Sequence, residues 1–210
     1  MARSANLVAA ARAHAVRDPR VLEAIAAVPR AQFVPPSLAA HAYDDEPLPI
    51  PHGQVTTQPS LVAQVVEALE LSASDRVLEI GTGFCWQTAL LARLAAEVWS
   101  VERWQDLART ARSHLVRHGS KNAKVVVGDG SGGLPKHARY NAILIAAAFP
   151  DVPGPLVDQL ADRGRLVQPI ALGGADEVVQ FQKRGGVLER TRRVTGAHFV
   201  RLYGEHGFVA

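Results

Sequence analysis

The chain has very little cysteine and no long apolar run. Cys85 is the single cysteine among 210 residues, so no disulfide can form within the chain. This fits a reducing compartment and makes the cytoplasm the expected location. No stretch reaches the ~18 consecutive apolar residues that a membrane helix needs, and residues 1–16 lack the continuous apolar core of a secretory signal. We therefore expect no membrane partner.

Clustered charge is also scarce. The chain has 23 Lys and Arg against 20 Asp and Glu, a net charge of +3, and its arginines are scattered. Nucleic-acid-binding proteins usually collect basic residues on one patch or tail, so we do not expect a nucleic-acid partner. We expect no metal ion either. With 48% apolar and 20% charged residues, the composition is that of a globular protein with a sizeable core.

The most informative segment is the run from Val77 to Gly83, an apolar stretch with an acid near its end and two glycines one residue apart. A helical pattern follows from Gln87 to Ala96. This is the strand, glycine turn and helix that hold adenosine-containing cofactors. A dinucleotide site would need a third glycine at position 86, where this chain has Trp86. The spacing therefore favours S-adenosylmethionine, which has no pyrophosphate to place on the helix end.

Strand and helix patterns alternate through the middle of the chain. This predicts an α/β fold with a doubly wound, mostly parallel, Rossmann-like sheet. An N-terminal helical extension is predicted over 5–15 and 19–28, followed by a loop over 43–60 and a helix from Pro59. A C-terminal antiparallel hairpin is predicted from 177–183 and 187–194. The predicted strands are 76–80, 97–101, 124–127, 142–146 and 165–170, and the helices between them are 86–96, 105–117 and 154–161.

Ligands of such sheets bind outside the carboxyl ends of the strands. The first strand ends in Gly81 and Gly83, where backbone can approach a ligand. Glu102 ends the second strand and is placed to accept hydrogen bonds from ribose hydroxyls. Asp129 follows the third strand and could accept from an adenine amino group, with Gly130 giving room for the ring. Small residues, Ala146 and Ala147, end the fourth strand and leave space for a reacting methyl group.

On these features the chain resembles the protein-L-isoaspartate O-methyltransferases from about Val28 to Gly207. The most specific segment is Gly53–Pro59, which general methyltransferases do not share. The resemblance implies methyl transfer from S-adenosylmethionine, with S-adenosylhomocysteine as product, to the α-carboxyl of L-isoaspartyl residues in damaged proteins or peptides, a repair reaction. The other matching segments are Val28–Val34, Leu48–Ile50, Val77–Gly83 with Gln87–Ala89, Val101–Arg103, Gly128–Gly130 and Gly164–Pro169.

The resemblance also implies site residues. Thr57 stands where the family has a serine whose hydroxyl orients the substrate carboxylate, and Thr56 is the alternative hydroxyl. Because a carboxylate with a reference pKa of ~4 is already a nucleophile at pH 7, no strong base is required. The implied cofactor-binding residues are Gly81, Thr82, Gly83, Gln87, Glu102, Arg103, Asp129 and Gly130. The implied substrate-binding residues are Thr56, Gln58, Pro59, Ala147, His198 and Arg201.

We expect one methyltransferase domain over 1–210, with N-terminal helices and a substrate and cofactor loop in 1–60 and the Rossmann-like core in 61–210. Three alternatives stay open. The first alternative rests on two departures from the family: Thr57 replaces its serine, and Arg201 replaces its usual proline. These departures would suit a tailoring methyltransferase that acts on an aspartate in a ribosomally made, cyclised peptide. The shared sheet and basic charge would also suit an RNA methyltransferase, although no base-stacking motif is evident. A binding protein that kept the pocket without turnover is the third alternative.

Overall fold

Two helices and a small hairpin precede the main sheet. The computed structural model describes residues 2–209. Asp18 begins the second helix by accepting a hydrogen bond from the Arg20 amide at 2.8 Å, directly before Pro19. These elements are α1 (Ala2–Ala13), α2 (Pro19–Ala27), β1 (Leu48–Ile50) and β2 (Gln54–Thr56), with short 3-10 turns at Arg30–Phe33 and Pro36–His41.

The hairpin differs from the sequence expectation, which placed a loop over 43–60. β1 and β2 pair antiparallel, with Leu48 opposite Thr56. Strands of three residues are too short to show a periodic pattern, and Pro49 lies inside β1, where proline ordinarily argues against a strand. Proline is tolerated because this two-stranded sheet has free edges.

Seven further strands form the main sheet, in the spatial order β5-β4-β3-β6-β7-β8-β9. The first five of these run parallel to their neighbours, and the last two are antiparallel. The predicted doubly wound sheet with a C-terminal hairpin is therefore confirmed. The elements are α3 (Pro59–Ala68), β3 (Arg76–Ile80), α4 (Trp86–Leu94), β4 (Glu97–Glu102), α5 (Gln105–His118), β5 (Ala123–Val127), β6 (Tyr140–Ile145), α6 (Gly154–Gln159), β7 (Leu160–Ile170), β8 (Asp176–Arg184) and β9 (Val187–Ala197).

The central strands β3, β4 and β6 are buried on both faces of the sheet. Because successive side chains of a strand point to opposite faces, Val77 packs with α1 to α5 while Leu78 and Ile80 pack with α6 and the C-terminal segment. β7 begins at Leu160, five residues before the predicted strand, since Leu160 pairs with Tyr140 across an irregularity in the register. No helix among residues 2–209 is long and apolar enough to cross a membrane.

The topology brings the predicted site residues together. β3 lies between β4 and β6, and the chain crosses from one side of β3 to the other between β5 and β6. In open parallel sheets, this reversal opens a crevice beyond the carboxyl ends of the central strands. Gly81 and Ala146 directly follow β3 and β6, and Glu102 is the last residue of β4.

Candidate active site

A single open cleft covers the carboxyl ends of β3, β4 and β6. It encloses about 1020 Å³, including the space at its mouth. Its walls come from the β3–α4 loop, the β4–α5 loop, the β1–β2 hairpin and the C-terminal segment 200–203. The residues that line the cleft include Arg30, Ile50, Thr56, Thr57, Gly81, Thr82, Gly83, Gln87, Glu102, Arg103, Trp104, Gly130, Ala146, Ala147, Arg201 and Tyr203.

The glycine loop after β3 forms the floor of the cleft. Gly81 and Gly83 have φ values of +94° and +53°, which side-chain-bearing residues rarely adopt. A Cβ on Gly81 would meet the Ala146 Cβ at 3.4 Å, and one on Gly83 would meet Ile50 Cδ1 at 3.5 Å. The two glycines therefore keep backbone at the floor where a ligand can approach it.

Cys85 ends this loop in the left-handed conformation, with φ of +64°. A side chain is strained in this conformation, which glycine adopts more readily. Its thiol is buried and donates to the Ala111 carbonyl at 3.2 Å, and burial raises the pKa of this thiol well above its usual value. Cys85 thus has a packing role beneath the loop.

A buried carboxylate supports the loop from below. Glu79, with no exposed surface, accepts hydrogen bonds from Gln87 Nε2 at 2.8 Å, Thr88 Oγ1 at 2.5 Å and Ser100 Oγ at 2.6 Å. The Ser100 hydroxyl also contacts Thr82 Oγ1 at 2.5 Å. Burial raises the pKa of Glu79. The side chains of Thr82 and Gln87 are therefore engaged beneath the cleft, and their backbone and exposed edges are what a ligand could meet.

Glu102 joins two walls of the cleft. One carboxylate oxygen accepts the Gly83 amide at 2.9 Å and the other accepts the Trp104 amide at 3.0 Å. Each oxygen keeps a second lone pair for a ligand hydroxyl. The neighbouring Arg103 guanidinium is exposed and lies over the rings of Trp104 and Tyr203, 5.2 and 5.6 Å from their centroids. Glu102 thus fixes the loop geometry around the place predicted for a ribose.

The C-terminal segment reaches over the Asp129 loop. The Asp129 carboxylate accepts from Ser131 Oγ at 2.7 Å and from the Glu205 amide at 2.7 Å. These bonds hold its pKa below the usual range, although burial opposes the shift. Asp129 is exposed and lies outside the cleft lining, whereas Gly130 lines the cleft, and a Cβ on Gly130 would lie 2.4 Å from Ile80 Cγ2. The structure therefore brings Gly130, rather than the Asp129 side chain, into the cleft wall.

Thr56 and Thr57 differ sharply in their surroundings. The Thr56 hydroxyl accepts from Arg30 Nη2 at 2.8 Å and from the Leu48 amide at 3.0 Å, so it closes the hairpin. Thr57 lines the cleft, and its hydroxyl has no hydrogen-bond partner among residues 2–209. Gln58, not Thr57, occupies the cap position of α3. Of the two hydroxyls, Thr57 is the one available to a ligand.

Gln58 and Pro59 anchor this segment behind the cleft. Gln58 Nε2 donates to Asp45 Oδ2 at 2.9 Å, and the Ser60 amide donates to Asp45 Oδ1 at 2.8 Å. Burial alone would raise the pKa of Asp45, but these hydrogen bonds lower it. Pro59 is buried in the first turn of α3. Neither residue is part of the cleft lining, so both support the wall from outside.

Ala147 and Arg201 lie on the opposite side of the cleft. Ala147 is buried, and its small side chain leaves space in the wall. Arg201 Nη1 donates to the buried carboxylate of Asp176 at 2.9 Å, so part of its charge is already paired. His198 is exposed and outside the lining.

The role of Arg30 and the stack of His52 on Trp104 at the mouth of the cleft were not predicted from the sequence. The His52 ring stacks on Trp104, with centroids 3.9 Å apart and planes 6° apart, and His52 Nε2 contacts Asp106 at 2.9 Å. Arg30 lies in the quoted segment Val28–Val34, but its spacing gave no sign that the guanidinium would be buried.

Comparisons with known proteins agree with this geometry. The sequence model of the protein-L-isoaspartate(D-aspartate) O-methyltransferase family matches residues 2–207. A protein-L-isoaspartate O-methyltransferase of Methanoculleus marisnigri is 49% identical over 94% of this chain and 89% of its own length. One of Methanoregula boonei is 47% identical over 92% of this chain and 88% of its own length. The alternative functions find no support in these relatives.

Solved structures show the same fold. A protein-L-isoaspartate O-methyltransferase superimposes with a TM-score of 0.85 at 27% identity, covering 97% of this chain and 67% of that one. A Plasmodium falciparum protein-L-isoaspartate O-methyltransferase solved with S-adenosyl-L-homocysteine has a TM-score of 0.81 at 22% identity, covering 96% of this chain and 98% of its own. The family match, the close relatives and the shared fold together show that the chain belongs to the protein-L-isoaspartate(D-aspartate) O-methyltransferase family.

Proposed function

We propose that this protein transfers a methyl group from S-adenosylmethionine to the α-carboxyl of L-isoaspartyl residues in damaged proteins or peptides. The observation that carries the proposal is the position of Thr57. Thr57 lines the same cleft as the glycine loop, and its hydroxyl has no hydrogen-bond partner among residues 2–209. The family match names the reaction, and this hydroxyl is where the substrate carboxylate would be held.

The cleft fits the cofactor. Gly81, Thr82 and Gly83 line the cleft, and the two glycines present backbone there without a side chain to cover it. Glu102 would accept hydrogen bonds from the ribose hydroxyls on its free lone pairs. Gly130 would face the adenine ring. When bound, S-adenosylmethionine supplies an activated methyl group on a sulfonium, which is a good leaving group.

Three further residues complete the proposed cofactor site. Asp129 lies outside the cleft lining, but its Oδ2 accepts only from the Glu205 amide and keeps one lone pair, with which it would accept from the adenine amino group. Arg103 would cover the mouth of the cleft together with the Trp104 and Tyr203 rings. Gln87 would contribute mainly by holding Glu79, and through it the glycine loop.

On the substrate side, the protein's contribution is positioning. The Thr57 hydroxyl would donate to one carboxylate oxygen and leave the other free to attack. No general base is required, because an unperturbed carboxyl group with a pKa of ~4 is ionised at pH 7. Ala147 would leave room for the substrate backbone, while Arg201 and His198 would meet more distant parts of the peptide. Thr56, Gln58 and Pro59 would hold the Thr57 segment in place.

The first experiment measures methyl transfer from labelled S-adenosylmethionine to three matched peptides that carry isoaspartyl, aspartyl or asparaginyl residues. Base-labile label on the isoaspartyl peptide alone is the expected result. Label on the aspartyl peptide alone would replace the proposal with the tailoring reaction. No label on any peptide, with cofactor binding confirmed, would contradict carboxyl methylation of peptides.

A second experiment tests the role of Thr57. Thr57→Val removes the hydroxyl at nearly constant volume, and we expect kcat to fall roughly 10- to 100-fold, because loss of a positioning hydrogen bond costs about 1–3 kcal/mol. The Kd for S-adenosylhomocysteine should not change. Thr57→Ser is the matched control and should keep most of the activity. Equal losses of turnover and cofactor affinity in Thr57→Val would show that Thr57 has a different role.

The substrate class follows from the proposal, namely a protein or peptide that bears isoaspartyl or aspartyl residues. The single domain over 1–210 and the cytoplasmic location stay predictions of the sequence. The expectation that nucleic acid is not a partner also stays a prediction.

A further inference from the structure

A buried arginine holds the segment that carries Thr57. Arg30 is 1% exposed, and it ranks among the largest fully buried side chains of the described chain. Its Nη2 donates to Thr56 Oγ1 at 2.8 Å, to the Glu46 carbonyl at 3.2 Å and to the Thr57 carbonyl at 3.5 Å. Its Nη1 donates to the Asp44 carbonyl at 3.2 Å and to the Ala42 carbonyl at 3.5 Å.

All of these acceptors are neutral. Among residues 2–209, no carboxylate forms an ion pair with Arg30. The charges of Asp45 and Asp44 act on the pKa of Arg30, but both carboxylates have other partners. Asp45 accepts from Gln58 and Ser60, and Asp44 contacts His41 at 2.9 Å. Buried charges are ordinarily paired, because an unpaired one is costly to remove from water. The Arg30 charge is therefore stabilised only by neutral oxygens, and an anion that entered the cleft beside it would meet a cation without a counter-ion.

The guanidinium stays charged despite its burial. Burial lowers the pKa of Arg30 to about 10, and the charges of Asp45 and Asp44 partly oppose this shift. At pH 7 the group is still protonated. The Trp86 ring, 5.6 Å from the guanidinium carbon, and the surrounding apolar residues keep water away, so the field of this charge is weakly screened.

The charge lies at the substrate side of the cleft. Arg30 is part of the cleft lining and bonds to both residues of the Thr56–Thr57 pair. The other cations of the lining are placed differently. Arg103 is exposed at the mouth against Trp104 and Tyr203, and Arg201 is paired with Asp176.

We infer that Arg30 is a positioning residue whose buried charge makes the Thr57 site selective for an ionised carboxylate. The inference rests on the proposed function, since it assigns the source of carboxylate recognition in that same site. The hydroxyl of Thr57 can donate to a carboxylate oxygen or to a carboxamide oxygen alike. The negative charge of the substrate is therefore recognised by the cation behind the Thr56–Thr57 pair.

The test compares the binding of two peptides that differ in one group. One carries the isoaspartyl α-carboxylate, and the other carries the α-carboxamide in its place. Binding of both is measured by calorimetry at pH 7 in the presence of S-adenosylhomocysteine, so that no turnover occurs. For the unaltered protein we expect the Kd of the carboxylate peptide to be lower than that of the carboxamide peptide by about tenfold or more. This is the effect expected of two opposite unit charges several ångströms apart inside a protein.

The variants separate charge from structure. Arg30→Gln should reduce the carboxylate preference to within about threefold, and Arg30→Lys, which keeps the charge, should retain most of it. Arg112→Gln is the matched control, because Arg112 also donates to a backbone carbonyl, that of Val125 at 2.9 Å, but lies outside the cleft lining. Its preference should equal that of the unaltered protein.

Two outcomes would overturn the inference. If Arg30→Gln weakens both peptides equally and keeps the preference, then Arg30 has only a structural role. If Arg30→Gln does not fold, the measurement on the unaltered protein provides the test. A preference of that protein for the carboxylate peptide below about threefold would exclude recognition by a buried cation. Failure of the unaltered protein to bind either peptide would instead contradict the proposed function.

Discussion

Replacing Glu102 by glutamine tests the central electrostatic element of the cofactor site. The carboxylate accepts the Gly83 amide at 2.9 Å and the Trp104 amide at 3.0 Å, and it would also accept the ribose hydroxyls. In Glu102→Gln one oxygen becomes an NH₂ group, which cannot accept from the amide that faces it. Loss of one charge-assisted hydrogen bond costs about 1.5–3 kcal/mol. We expect the Kd for S-adenosylhomocysteine to rise roughly 10- to 100-fold.

Calorimetry of S-adenosylhomocysteine binding is the assay. Glu97→Gln is the matched control, because Glu97 also loses one negative charge but pairs with Arg76 and Lys124 away from the cleft. Its Kd should change less than about twofold. A Glu102→Gln protein that binds within threefold of the unaltered protein, or a Glu97→Gln protein that is equally impaired, would refute the reasoning.

Two further predictions concern the C-terminal segment and the thiol. Gly204→Ala should release the segment from the Asp129 loop, since a Cβ there would lie 2.1 Å from Asp129 Oδ1. Limited proteolysis should therefore cut residues 198–209 faster than in the control Gly174→Ala, whose Cβ would meet nothing within 4 Å. Unchanged cleavage would argue against this contact. The Cys85 thiol should react with a disulfide reagent at pH 8 at least about a hundredfold more slowly in the folded protein than in denaturant, because it is buried and its pKa is raised; rapid labelling of the folded protein would contradict its packed position.

Much of the fold was predictable because its signals are local. Alternating strand and helix patterns gave the order of elements, and the glycine spacing after β3 placed the cofactor loop. The position of Glu102 at a strand end was equally clear. A single sequence carries these signals because the backbone conformation and the burial of a strand restrict which residue types can stand next to one another.

The features that were missed depend on distant contacts. An arginine is ordinarily exposed, so nothing in the segment around Arg30 indicated that it would bond to residues 12 to 27 positions later. The hydrogen bond that the Glu205 amide donates to Asp129 spans 76 positions, and a backbone amide carries no sequence signature. Side chains that hold the site in place are therefore harder to predict than those that face the ligand.

The contact between the Asp129 loop and residues 204–206 has a consequence for synthesis on the ribosome. The glycine loop, Glu102 and Gly130 all emerge well before the segment that completes the cleft wall at residues 200–203. A nascent chain can therefore assemble its central strands while the cleft still lacks one side. The complete cleft, and any stabilisation that a ligand filling it brings, forms only once this segment has left the exit tunnel.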